Sequence, residues 1–267
     1  LPFDRIIFGA SSNHMSNSNA APWYETWFDS PHYHTLYGHR SQGEASDFIQ
    51  TLHDVLQWDT LELLDLACGK GRHAAAASKL GHKVVGIDLS PNSIHQARTD
   101  HEEGEGLSFL QGDMRDFTLN TRFDGVLNLF TSFGYFEQPK DQLQVLKQVK
   151  AHLQPGGFFI LDFLNLGHAR AKMVALETIE RGSTKYHIER HYGPLNPNME
   201  GFVKTISFEA DGQQHRHSER VAGLDKSQLY SMLKEAGFSV QSCFGDYDLS
   251  PWHPVESPRL ILNAIAS

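Results

Sequence analysis

Leu61-Glu-Leu-Leu-Asp-Leu-Ala-Cys-Gly-Lys-Gly-Arg-His73 decides the fold, because in it an apolar run enters a glycine turn that opens a helix. Leu61, Leu63, Leu64 and Leu66 suit a strand buried on both faces of a parallel sheet, interrupted by Asp65. After the turn, Ala74 to Ala77 and Leu80 make a small-residue helix face that can lie close to a sheet, and Gly81 supplies a left-handed stop. Strand, glycine turn and helix form half of a nucleotide-binding βαβ unit.

Downstream the pattern repeats. Lys83 to Asp88 reads as a second buried strand ending in an acid, and Ser90-Pro91 caps a helix reaching to about His101. Leu107 to Gln111 is a third strand, leaving by the turn Gly112-Asp113-Met114-Arg115. Phe123 to Phe130 is a fourth, followed by the aromatic loop Thr131 to Phe136. Pro139 starts a helix with its stripe on Leu143, Leu146, Val149 and Leu153, Pro155-Gly-Gly157 breaks it, and Phe158 to Leu164 is the fifth strand. Alternating strands and helices predict a parallel sheet with right-handed crossovers. From 178 to 222 the helices stop. Lys185 to Tyr192, Phe202 to Ala210 and Gln214 to Val221, joined by turn residues, predict a three-stranded antiparallel insert. A helix capped by Asp225 with Gln228, then strands over Ser239 to Tyr247 and Arg259 to Ala264, complete the sheet.

Upstream, Glu44 to Leu56 is an amphipathic helix, and Trp23, Tyr24, Trp27, Phe28, Tyr33, Tyr37 and Arg40 form an aromatic segment, a candidate cover for a ligand pocket. Residues 1–22 read as a disordered leader rich in Ser and Asn, with Leu1 to His14 having the look of vector-derived sequence.

The formal charge of -9 over 267 residues argues against a phosphate-tracking nucleic-acid binder. Two cysteines far apart, Cys68 and Cys243, indicate neither a disulfide framework nor a zinc ribbon and point to the reducing cytoplasm. No apolar run is of membrane-spanning length. The sixteen histidines lack metal-ligand spacing, and the alternating pair His215 and His217 reads as a solvent-facing strand.

Asp88 falls about twenty residues after the glycine turn, where a ribose-binding acid belongs in this architecture. Gly69-Lys-Gly71-Arg-His-Ala74 also fits the dinucleotide fingerprint, so an NAD-dependent oxidoreductase is a competing reading. Against it stands the acid of a third strand end, Asp113, expected on the same carboxyl edge, where it would crowd a second nucleotide.

From Trp23 to Ser267 the chain resembles the class I S-adenosylmethionine-dependent methyltransferases. Asp65-Leu-Ala-Cys-Gly-Lys-Gly71 is similar to the family's first motif, with Ala67 where glycine is commoner. The resemblance implies that Asp88 binds the ribose hydroxyls, that Leu89 packs on adenine, and that Asp113 and the backbone N–H of Met114, in a turn with Arg115, read the adenine edge. It sets Asn128 and Leu129 beneath the transferring methyl, and Arg72 or Arg40 near the methionine carboxylate. Tyr33, Tyr37 and Tyr135 are the candidates for lining the reacting centre. Gln111 to Phe117 with Thr131 to Tyr135 resembles the amino-sugar N,N-dimethyltransferases most.

The implied fold is α/β: a Rossmann-like, mostly parallel seven-stranded sheet with an antiparallel last strand, plus the inserted antiparallel sheet. Residues 23–177 and 223–267 would form the donor-binding domain, with 178–222 as a substrate cap or homodimer contact. The implied reaction moves a methyl group from S-adenosyl-L-methionine to an amine or hydroxyl of a small molecule, leaving S-adenosyl-L-homocysteine. Asn128-Leu-Phe-Thr131 lacks the signature of exocyclic base modifiers, which with the acidic charge argues against a nucleic-acid partner, and no membrane partner is expected from a chain without a membrane-spanning apolar run. A cofactor-binding protein without catalysis is the remaining alternative.

Overall fold

The computed structural model describes residues 21–38 and 42–267, in which the alternation of apolar runs and helices builds two sheets. Two short helices, α1 (Trp23–Phe28) and α2 (Pro31–Tyr37), precede the longer α3 (Gln42–Val55). Then come β1 (Glu62–Leu66), α4 (Arg72–Lys79), β2 (Lys83–Asp88), α5 (Pro91–Asp100), β3 (Leu107–Gln111), β4 (Phe123–Asn128), α6 (Pro139–Ala151) and β5 (Leu153–Leu164). After α7 (Leu166–Ala171), strands β6 (Leu176–Arg181), β7 (Thr184–Asn196), β8 (Met199–Ala210) and β9 (Gln213–Ala222) form a separate sheet. The chain closes with α8 (Lys226–Glu235), β10 (Phe238–Phe244) and β11 (Arg259–Ala266).

The seven-stranded sheet has the order β10-β11-β5-β4-β1-β2-β3. Only β11 runs against its neighbours, β5 on one side and β10 on the other. The order reverses direction between β4 and β1, and in open α/β sheets ligands bind outside the carboxyl ends of the strands at that crevice. Leu63, Leu64 and Leu66 of β1 are fully buried, as a strand covered on both faces requires.

The helix ends follow their capping chemistry. The Ser90 hydroxyl accepts the Ser93 N–H at 2.9 Å ahead of α5, and Asp225 with Gln228 forms a reciprocal capping box on α8. Gly71 opens α4 at φ +75°, and a Cβ there would lie 2.4 Å from the Phe109 ring. Helix α4 can therefore approach β3 this closely only with glycine at its start.

Several boundaries differ from the sequence reading. The insert has four strands, because β6 pairs with β7; Ile179 is its one inward-facing apolar side chain, too little for an alternation signal. Leu153 begins β5 opposite Phe123, although its four-residue spacing from Val149 continues the helical stripe. Strand β4 stops at Asn128, since Phe130 and Thr131 take left-handed φ values of +60° and +62°. His215 and His217 do not face solvent: the first stacks on Phe208 at 4.9 Å and the second on Trp27 at 4.2 Å. They join the face of the insert on which Trp27 and Leu36 of the first two helices pack against Tyr186, Ile188, Ile206 and Phe208. Of the leader read over residues 1–22, residues 1–20 lie outside the described residues.

Candidate functional site

The glycine corner and the ends of β2 and β3 open onto one cavity of about 500 Å³, roofed by α1 and α2 and by the loop after β4. Its size lies within the usual range for a small-molecule site. Asp65, Ala67, Gly69, Arg72, Asp88, Leu89, Asp113, Met114 and Leu129 line it, as do Tyr33, Tyr37 and Tyr135.

Other expected residues act from behind the wall. Gly71 is packed under Phe109. The buried Asn128 donates its side-chain N–H to the Leu66 carbonyl at 2.9 Å, tying β4 to β1 across the crevice. Arg115 grips both oxygens of Asp113, at 2.6 Å for the shortest contact, and lies 4.7 Å from the centre of the Phe136 ring. It orients the Asp113 carboxylate from outside the cavity. Arg40 lies outside the described residues.

Asp88 holds the corner together: its Oδ2 accepts the Gly69 N–H at 2.8 Å and its Oδ1 the Ser90 N–H at 2.9 Å. Burial raises its pKa while those two N–H groups oppose the rise. Asp65 is less well satisfied. It is buried, its Oδ2 has no hydrogen-bond partner among the described residues, and burial, with Asp88 nearby, pushes its pKa up to about 7. A buried carboxylate oxygen without a partner in a cavity wall leaves acceptor capacity for a hydrogen-bond donor or a cation from within the cavity. Arg72 pairs with Glu44 at 3.2 Å and sits 4.6 Å from the centre of the Phe130 ring. Cys68 is buried with its thiol pKa pushed well up, which leaves it unreactive.

The roof is fastened at two places. Asp29, between α1 and α2, accepts from the Ser90 hydroxyl at 2.6 Å and from the Asn92 backbone N–H at 3.0 Å. At the other end, Glu219 of β9 accepts the Trp27 indole N–H at 2.8 Å and the Tyr37 hydroxyl at 2.6 Å, with Lys204 of β8 beside them. His34 also lines the cavity, and burial, helped by Lys70, lowers its pKa to about 4, so it stands there neutral. Neither His34 nor Lys70 was singled out by sequence, though Lys70 lies inside the glycine turn.

Behind the cavity floor, Asp162 of β5 fixes the loop after β4. Its Oδ2 accepts the Phe130 N–H at 2.8 Å, its backbone carbonyl the Thr131 N–H at 3.1 Å, and its Oδ1 the Arg259 Nε–H at 2.8 Å. Arg259 also donates to the Thr131 hydroxyl at 2.8 Å, and the Tyr247 hydroxyl donates to Asp162 at 3.2 Å. Burial opposes the Arg259 charge, but Asp162 outweighs it and leaves the pKa raised. Among the described residues no cluster of His, Cys, Asp and Glu is placed to hold a metal ion, and no helix is long and apolar enough to cross a membrane.

A mostly parallel sheet with β11 reversed, and two acids and a glycine corner meeting at its carboxyl edge, define an open α/β protein with a ligand site at the switch point of its sheet. Comparison with known proteins shows what this arrangement resembles. Residues 63–157 match a family model described as a methyltransferase domain. An N,N-dimethyltransferase of dTDP-3-amino-3,4,6-trideoxy-alpha-D-glucopyranose from Streptomyces venezuelae is 33% identical over 122 residues, 45% of this chain and 48% of that protein. The chain therefore spans about half the length of that relative. An N,N-dimethyltransferase of dTDP-3-amino-3,6-dideoxy-alpha-D-glucopyranose from Streptomyces fradiae is 26% identical over 226 residues, 77% and 83% of the two chains. Among solved structures, the CcbJ methyltransferase of Streptomyces caelestis shares the fold with a TM-score of 0.74 at 19% identity, over 91% of this chain and 99% of that one. The chain is thus similar to S-adenosylmethionine-dependent methyltransferases in its residues 63–157 and shares the fold of solved methyltransferases.

Proposed function

We propose that the protein transfers a methyl group from S-adenosylmethionine to the nitrogen of a small-molecule amine. The observation that carries this reading is the convergence of the Gly69 corner, Asp88, Asp113 and the unpartnered Asp65 oxygen on one cavity. In this reading Asp88 receives the ribose hydroxyls, Asp113 the adenine amine and Asp65 the donor's ammonium, with Leu89 and Met114 against the base. Bound there, S-adenosylmethionine supplies an already activated methyl group. What the chain must contribute is alignment and exclusion of water, worth up to roughly 7 to 11 kcal/mol for well-oriented reactants. In this reading the rings of Tyr33, Tyr37 and Tyr135 close the acceptor side, and the amine enters already neutral, since His34, with its pKa lowered to about 4, is too weak a base to deprotonate an alkylammonium. The curated relatives from two Streptomyces species, named for amino-sugar N,N-dimethylation, support an amine over a hydroxyl acceptor.

Residues 178–222 serve in this reading as an insert that anchors the roof of the acceptor site. A cytoplasmic location and a homodimer formed through the insert belong to the same proposal; sedimentation of the purified chain tests the dimer. Calorimetric titration tests the donor assignment directly. S-adenosylmethionine should bind and NAD should not, and Asp88→Ala should weaken donor binding by about 10- to 150-fold, the loss of a hydrogen bond to a charged group. NAD binding without S-adenosylmethionine binding would overturn the proposal.

A further inference from the structure

The turn between α1 and α2 reaches the donor side of the cavity through Asp29. Its Oδ1 accepts the Ser90 hydroxyl at 2.6 Å and the Asn92 backbone N–H at 3.0 Å. Its Oδ2 accepts the Asn92 side-chain N–H at 2.9 Å, and its backbone carbonyl accepts from the same amide nitrogen at 3.1 Å. These contacts join a roof turn to the first turn of α5, where the aligned peptide dipoles favour a negative charge. Ser90 faces both ways: its hydroxyl goes to Asp29, and its backbone N–H goes to Asp88 Oδ1 at 2.9 Å. A continuous chain of hydrogen bonds therefore runs from the roof through Ser90 to Asp88, and on to the Gly69 N–H at 2.8 Å. Each Asp88 oxygen spends one lone pair in these bonds and keeps another for a ribose hydroxyl. Asp29 and Asp88 are also like charges on either side of Ser90; burial raises the Asp88 pKa most, and Asp29 adds to the rise.

We propose that Asp29 is a positioning residue that couples the donor site to the roof, so that a ribose seated on Asp88 tightens the roof and completes the acceptor pocket. This rests on the donor reading above and deepens it by giving the site an order of assembly. Ribose hydroxyls donating to Asp88 spread its charge into the ligand, which weakens the repulsion felt by Asp29. Asp29 then holds Ser90 and Asn92 more firmly. Phe28, just before the Asp29 turn, and His34, just after it, both border the cavity and are fixed over it by the same contacts. Coupling between sites is reciprocal: the factor by which the donor favours roof closure is the factor by which closure favours the donor, commonly about 5 to 150. The second fastening, at Glu219, ties the roof to the insert and lies outside this chain of bonds.

Hydrogen exchange of the amides in residues 23–37 of the full chain, with and without saturating S-adenosylhomocysteine, tests the coupling. In the parent the ligand should slow that exchange by at least about fivefold. Asp29→Ala removes the side-chain contacts, and Asn92→Ala removes two of the contacts without touching the roof. Both variants should still bind S-adenosylhomocysteine, with affinity lowered by about fivefold or more, and the slowing should shrink by a like factor. Asp29→Asn keeps an oxygen for the Ser90 hydroxyl and lacks the charge, so its roof exchange should be nearly the same with and without ligand. A purely structural contact would instead restore the parent's response in Asp29→Asn, and that result overturns the coupling. So does undiminished slowing in Asp29→Ala or Asn92→Ala, which would mean that the ligand shields the roof directly, or equal exchange in the parent with and without ligand. In each of these cases the donor reading stands. Failure of the parent chain to bind S-adenosylhomocysteine overturns the donor reading, and the coupling with it.

Discussion

Asp162→Asn tests whether the floor of the cavity is held by a buried ion pair. The side chain of Asp162 is 0% exposed and that of Arg259 18%, so the substitution leaves a largely buried guanidinium facing a neutral amide. Removing one partner of a buried pair costs about 3 to 5 kcal/mol, and the partial exposure of Arg259 places the expectation near 3. The same carboxylate holds Phe130 and Thr131 at positive φ, a conformation that disfavours side-chain-bearing residues by roughly 1 to 2 kcal/mol each. Loss of the carboxylate therefore loosens that loop as well as the β5–β11 pairing. At about 2 to 4 °C per kcal/mol for a chain of this size, thermal unfolding should move down by roughly 6 to 12 °C. The double variant Asp162→Asn with Arg259→Met should recover part of the loss, because no unpaired charge remains. Calorimetric melting of the parent, both single variants and the double variant gives the coupling energy. Donor titration of the same proteins reads the Phe130 wall, and affinity should fall in Asp162→Asn. A melting change equivalent to less than about 1 kcal/mol, or a double variant no more stable than Asp162→Asn, would refute the argument.

Four further outcomes follow from the corner and the acid beside it. Gly71→Ala should sharply lower both stability and donor affinity, since its Cβ would lie 2.4 Å from Phe109 at a φ of +75°; melting and titration together check it. Ala67→Gly should raise stability by up to about 1 kcal/mol, the relief of a +62° φ less the added freedom of glycine in the unfolded chain, read as a higher melting temperature. Asp65 has a folded pKa of about 7 against an ordinary 3.8, so between those values the native state binds more protons than the unfolded one. Its contribution to stability of the donor-free protein therefore falls as pH rises through that window, and Asp65→Asn should remove this part of the slope in a pH series of melts. Donor affinity should move the other way, rising from pH 6 to 8 in the parent and staying flat in Asp65→Asn, as titrations at each pH would show.

The strand-turn-helix at Leu61 to His73 was legible because its signals are local. Apolar periodicity, the glycine backbone at Gly69 and Gly71, and the acid closing β2 each depend on neighbours within a few residues, and local order of that kind survives in any context. Strand direction followed too, since alternating helices and strands leave little besides right-handed parallel crossovers. What the chain order could not show were contacts between distant segments. Asp162 and Arg259 lie ninety-seven positions apart and meet only because β11 runs beside β5, so nothing in either local context marks them as holders of Phe130. Glu219 reaches Trp27 across 192 positions, and Arg115 turns back onto Asp113 where the resemblance had set it in the cavity. His215 and His217 looked like a wetted strand because their alternation carries no information about what packs on it; Phe208 and Trp27 supplied the answer. Element type and the donor motif are thus written in neighbouring residues, whereas the supports behind the cavity and the roof over it exist only once packing brings remote side chains together.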